Sequence, residues 1–150
     1  MIRLPTGLYV DVMQAKVVIP TPTPERFEGL PLVEIREAPS GVKVAVLPLH
    51  EDTYRYLHTM GVDVAGIEPL RYYYKMPKLQ GKFDPYDHQI QGAGFHVAFK
   101  RTYNFSTMRV GKTGTALIAM DYLQRVKHYS ACLIVCTVTN MSGVWEDEIQ

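Results

Sequence analysis

The chain has little that would staple, anchor or metallate it. It contains only two cysteines, Cys132 and Cys136, four apart in one apolar run. On a strand that spacing puts both on the same face but too far apart to bridge easily. They read as reduced core thiols of a cytoplasmic protein, with a redox or metal role as the alternative. No apolar run approaches the roughly 18 residues of a membrane span. The opening MIRLPTGLYVDVMQ lacks a basic segment followed by an apolar core, so no signal peptide is expected. His50, His58, His88, His96 and His128 show no metal-ligand spacing.

What is present is apolar enough to fold. The 150 residues are 47% hydrophobic and 21% charged, which excludes a disordered chain and suits one ordinary domain or one and a half small ones. The net charge of +1 conceals a pattern. Residues 1–70 carry 6 basic and 9 acidic side chains, residues 71–128 carry 10 and 3, and residues 129–150 carry 0 and 3. The middle block suits a phosphate-rich partner; a solvated basic face is the bland alternative.

The first part of the chain reads as β-rich. GLYVDVMQAKVVIP gives two short β-branched runs, and LVEIREAPSGVKVAVLPL gives two more around the turn signal Pro39-Ser40-Gly41, a predicted hairpin. PTPTPERFEGLP between them is a Pro-rich connector. HEDTYRYLHTMG is a predicted helix, with Tyr54 and Leu57 on one face and Gly61 as its stop. RYYYK is a short β candidate. Its tyrosines, Tyr72, Tyr73 and Tyr74, suit core and edge packing or, alternatively, base stacking. MPKLQGKF reads as a linker, dividing the chain into a small β-rich α+β domain (1–79) and a second unit (80–150).

In the second unit, DPYDHQIQGAGFHVAFK predicts a helix with Asp84 as N-cap and Pro85 at its first position. Tyr86, Ile90, Ala93 and Val97 share one face, and Gly92 and Gly94 permit close packing against a neighbour. A strand is expected from Thr102 to about Ser106, then a loop, then an apolar helix from about Lys112 to Arg125. ACLIVCTV has the look of a buried parallel strand, and SGVWEDEIQ starts another helix. The order α-β-α-β-α is the rhythm of an α/β sheet.

The loop carries the chemistry. NFSTMRVGKTGTALIAM places Gly111, Lys112 and Thr113 between a predicted strand and a helix. A helix start offers unpaired N–H groups and a partial positive charge, which attract phosphate. Gly111 would let the backbone approach, Lys112 would reach the β- and γ-phosphates, and the Thr113 hydroxyl would bind Mg²⁺. The tripeptide alone also occurs by chance, and the usual pattern opens with Gly where this chain has Ser106.

YDHQ, STMRVGKTGTALIAMDYL and CLIVCTVTNMSGVWEDEI stand in that order over residues 80–150. Together they resemble the start of the motor in Swi/Snf-like helicases of superfamily II, particularly compact phage-encoded members. LHEDTYRYLHTMGVDV and RYYYK more loosely resemble the small domain before some phage helicase cores. The resemblance implies a partial RecA-like P-loop lobe over residues 80–150, with ATP and Mg²⁺ as cofactors. It also implies DNA and the remaining motor segments, in the same or a separate chain, as partners. Gln89 matches the glutamine that recognises adenine. Met108, Arg109, Val110, Gly111, Lys112, Thr113 and Gly114 fall on the phosphate loop. Thr137, Thr139 and Asn140 fall where the family contacts the DNA strand, and Trp145 and Glu148 match its W-x-x-E. The family's loop does not require Gly at the position of Ser106. It usually has Gly at Arg109, often Glu at Thr107 and usually Pro at Thr137.

Hydrolysis in these ATPases needs an apolar strand ending in Asp-Glu, and none follows: Asp121 lies inside a predicted helix, as do Asp147 and Glu148. The chain therefore reads as the front end of a DNA helicase or translocase, located in the cytoplasm (the host's, if phage-encoded) and not expected to hydrolyse ATP on its own. The alternative is a non-enzymatic nucleic-acid-binding or regulatory protein derived from such a motor. A small P-loop kinase would need an arginine-rich lid, and residues 129–150 contain no Lys or Arg.

Overall fold

Short β-branched runs separated by turn residues pair with their neighbours in sequence first, because a short loop has a small closure cost. A computed structural model describes residues 1–30, 32–79, 82–99, 101–107 and 109–149, with Glu148 as backbone only. It divides the chain into two compact units, Met1–Tyr72 and Tyr73–Gln150.

The first unit contains β1 (Ile2–Arg3), β2 (Tyr9–Asp11), β3 (Lys16–Pro20), β4 (Glu34–Glu37) and β5 (Lys43–Pro48) in one antiparallel sheet, ordered β1-β2-β3-β5-β4. The predicted hairpin is β4–β5, closed by Gly41 at φ +77 and the bond from Ala38 N–H to the Val42 carbonyl. In the β2–β3–β5 register Val10, Val17 and Leu47 lie across from one another, and all three are buried. The predicted helix is α1 (Glu51–Thr59), begun by His50 Nδ1 accepting from Asp52 N–H and ended before Gly61 at φ +75.

RYYYK is not a strand. The helix α2 (Pro69–Tyr73) takes its first three residues. Pro69 suits the first helical position. Glu68, fully buried, accepts from Gly66 N–H and from Arg71 Nε, and the Tyr72 hydroxyl donates to the Gly66 carbonyl. These bonds outweigh the strand preference of three tyrosines.

The second unit is built on α3 (Asp87–Ala98) packed against α4 (Lys112–Val126). α3 starts two residues later than the Asp84–Pro85 signal implies. Tyr86 is extended, and its N–H is taken by Gln89 Oε1 at 2.8 Å, so the glutamine at the third helical position caps the helix from inside. The two helices approach closely: a Cβ on Gly92 would stand 2.9 Å from Thr115 Cγ2. α4 buries Ile118, Ala119 and Tyr122 on one stripe, and the Tyr74 ring packs edge-on against Tyr122.

The expected α/β rhythm of this unit is not formed. Neither 102–106 nor 131–137 pairs with a strand; among the described residues of this unit the one bridge is Leu79 with Phe83. The five-stranded sheet is antiparallel and lies in the first unit. A strand is defined by its ladder, and these two segments have no ladder partner among the described residues, so propensity alone leaves them irregular. Leu133 and Val135 are each 88% exposed, and Cys132 and Cys136 are free and exposed, not core thiols. A short helix, α5 (Val138–Asn140), runs on through the π-helical turns Met141–Glu146 into α6 (Asp147–Ile149), so the helix expected from SGVWEDEIQ is present and starts earlier. No helix among the described residues is long and apolar enough to cross a membrane.

Candidate functional site

The loop before α4 is shaped by two left-handed residues. Arg109 has φ +64 and Gly111, the N-cap of α4, has φ +74. The left-handed region costs a non-glycine residue about 1–2 kcal/mol, so Arg109 carries strain at the place where the resemblance has glycine. Gly111 has a second reason to be glycine: a Cβ there would fall 2.1 Å from Gln89 Nε2.

The carbonyls of the loop are held by α3. His88 Nε2 lies 3.0 Å from the Val110 carbonyl and, facing an acceptor, must carry the proton. Gln89 Nε2 donates to the Gly111 carbonyl at 3.3 Å, while the other end of the same amide accepts from Tyr86. Gln89 is only 3% exposed. It is a strut between two helix starts, not a polar residue on an open face.

The amides of the loop are not so engaged. The first intrahelical bond of α4 runs from Thr115 N–H to the Gly111 carbonyl, also bonded by Thr115 Oγ1. The N–H groups of Lys112, Thr113 and Gly114 therefore have no intrahelical acceptor. Among the described residues no side chain caps them, and no acidic residue stands in the first turn to offset the helix dipole. Lys112 Nζ donates to the Ser106 carbonyl at 2.7 Å, which folds the loop into a ring from Ser106 to Lys112. Thr113 is half-exposed beside it.

A cleft of about 180 Å³ opens beside this ring, lined by His88, Phe95, His96, Phe105, Ser106 and Lys112 among others. His96 Nδ1 lies 2.6 Å from Thr102 Oγ1 and ties the irregular 102–106 segment to α3. Burial holds the His96 pKa below its ordinary 6.5, so the ring is neutral at pH 7. Tyr103 and Phe105 stack with centroids 5.9 Å apart and both rings largely exposed.

The fold thus gathers Gln89, Arg109, Val110, Gly111, Lys112, Thr113 and Gly114 at one helix start. Met108 lies outside the described residues. Thr137, Thr139 and Asn140 are exposed at the start of α5, with local bonds between Thr137 Oγ1 and Thr139 Oγ1 and from Asn140 N–H to the Thr137 carbonyl. Trp145 is half-buried in the π-helical turns. Metal-ligand spacing does not single out His88; its position beside Gln89 in YDHQ is the signal the sequence offers. No cluster of three or more His, Cys, Asp or Glu suited to a metal occurs among the described residues.

No protein-family model, curated protein or solved structure matches this chain.

Two outcomes are expected. Gly111→Ala should destabilise the second unit by at least about 2 kcal/mol, from the left-handed backbone and the clash with Gln89. In a Gln89→Ala background the same change should cost only about 1 kcal/mol, the backbone term alone; equal costs in a denaturant double-mutant cycle would refute the clash. His96 predicts a pH effect of known sign. Its pKa is lowered on folding, so its contribution is fully present above pH 6.5 and is lost as pH falls below that value towards the folded pKa. Melting between pH 7.5 and 5.5 should fall in the wild type and fall less in His96→Gln.

Proposed function

We propose that the second unit is the adenine- and phosphate-binding front of an ATP-driven, DNA-dependent helicase-like translocase, a partial RecA-like lobe that works together with further motor segments. One observation carries this reading. The ring from Ser106 to Lys112 leaves three uncapped amides and a lysine ammonium beside one another at the start of α4, with glycine where a side chain cannot fit. Such a group binds a chain of phosphates through amide hydrogen bonds, the helix dipole and a point charge.

The residues present fit the cofactor. ATP would lay its phosphates on the amides of 111–114, and Lys112 would exchange the Ser106 carbonyl for phosphate oxygen. Mg²⁺, when bound with the nucleotide, neutralises phosphate charge, and the Thr113 hydroxyl is the group at hand for it. The 131–137 segment supports the need for further segments. Its apolar side chains, Leu133 and Val135, stand in solvent, and a β-prone run in that state is completed by a strand partner. Thr137, Thr139 and Asn140 follow it and are exposed, as contacts to a DNA strand require.

A second reading, a nucleic-acid binder without ATP chemistry, is favoured by the exposed Tyr103–Phe105 stack close in sequence to Arg101, Arg109 and Lys112. Stacked rings in a basic setting hold single strands.

Lys112→Ala decides between them. Under the ATP reading, Mg·ATP should slow limited proteolysis of the wild type and have no effect on the variant, while circular dichroism of the two is the same. Protection that survives the substitution, or none in the wild type, would overturn it.

A further inference from the structure

We infer that His88 is a positioning residue for the phosphate cradle, setting the direction of the loop's N–H groups through the carbonyl it holds; the inference rests on the proposed nucleotide site.

In a trans peptide the C=O of one residue and the N–H of the next point in opposite directions, and the described chain has no cis bond. His88 Nε2 fixes the Val110 carbonyl at 3.0 Å, and Gln89 Nε2 fixes the Gly111 carbonyl at 3.3 Å. The N–H of Gly111 and the N–H of Lys112 belong to those same two peptide planes. Both are therefore turned away from the α3 side chains that hold their carbonyls. Two successive planes pinned this way form a concave run of donors, the arrangement that receives an anion. A loop free to rotate these planes would present a carbonyl oxygen to a phosphate as often as an amide.

His88 is suited to this role by its own support. Its exposed ring lies parallel to the Tyr86 ring, at 9° and 5.7 Å between centroids, so the imidazole is braced on one face while Nε2 reaches the loop. Tyr86 in turn is fixed through its backbone N–H by Gln89. The two struts thus share one brace. Gln89 is buried and also caps α3, so its removal disturbs the helix. His88 is exposed and caps nothing, which makes it the clean test.

The test uses the full chain with two probes, Mg·ATP and inorganic pyrophosphate, which has no base. His88→Phe keeps the ring against Tyr86 and removes the donor. His88→Gln restores an N–H donor at about the reach of Nε2. His88→Phe should weaken both probes by the same factor, on the order of ten-fold, with the melting temperature without ligand unchanged, and His88→Gln should recover most of the loss. Wild-type affinity in His88→Phe overturns the inference. So does a loss for ATP but not for pyrophosphate, because that places His88 on the base side. If the wild type binds neither probe, the nucleotide reading itself falls and the inference with it.

Discussion

The Gln89 carboxamide has both of its ends engaged inside the protein. One closes the first turn of α3 on the Tyr86 amide, and the other reaches 22 residues along the chain to the Gly111 carbonyl. The rest of the loop follows from that crosslink. It requires glycine at 111, because any Cβ would overlap the amide. It starts α4 at Lys112 with a left-handed residue before it, leaving no side chain to cap the first turn. It also brings the two helices together at the end where Gly92 meets Thr115. A single buried polar side chain bonded at both ends specifies geometry in this way because an unmade bond there is expensive.

The same crosslink bears on how adenine would be read. In the resembling motors the matching glutamine recognises the base. Here its acceptor oxygen and one of its donor hydrogens are held by the protein, leaving one donor hydrogen on Nε2. Base and phosphates would then be coupled mechanically. A contact at Gln89 would pull on the Gly111 carbonyl, and hence on the Lys112 amide.

Local features were legible in the sequence. The Pro39-Ser40-Gly41 hairpin, the Gly61 stop and the start of α4 at Lys112 all depend on residues within a few positions of one another. The two missing strands share one cause. Segments 102–106 and 131–137 have strand composition, but a strand exists only with a neighbour, and ACLIVC shows apolarity without saying what covers it. RYYYK became a helix because Glu68, buried and doubly bonded, fixes the turn before it. The struts from His88 and Gln89 were invisible for a related reason. Bonds from a side chain to a distant backbone carbonyl leave no period and no spacing to count.

The proposed site depends on free, outward-facing amides at the start of α4 that can receive a phosphate chain. The most direct measurement is an amide-resolved ¹H–¹⁵N spectrum of the intact chain titrated with Mg·ADP. The Gly111, Lys112 and Thr113 amide protons should move downfield and become the largest shifts in the spectrum. Unchanged resonances at these three positions, with shifts confined to the basic and aromatic residues 101–105, would contradict the proposed site.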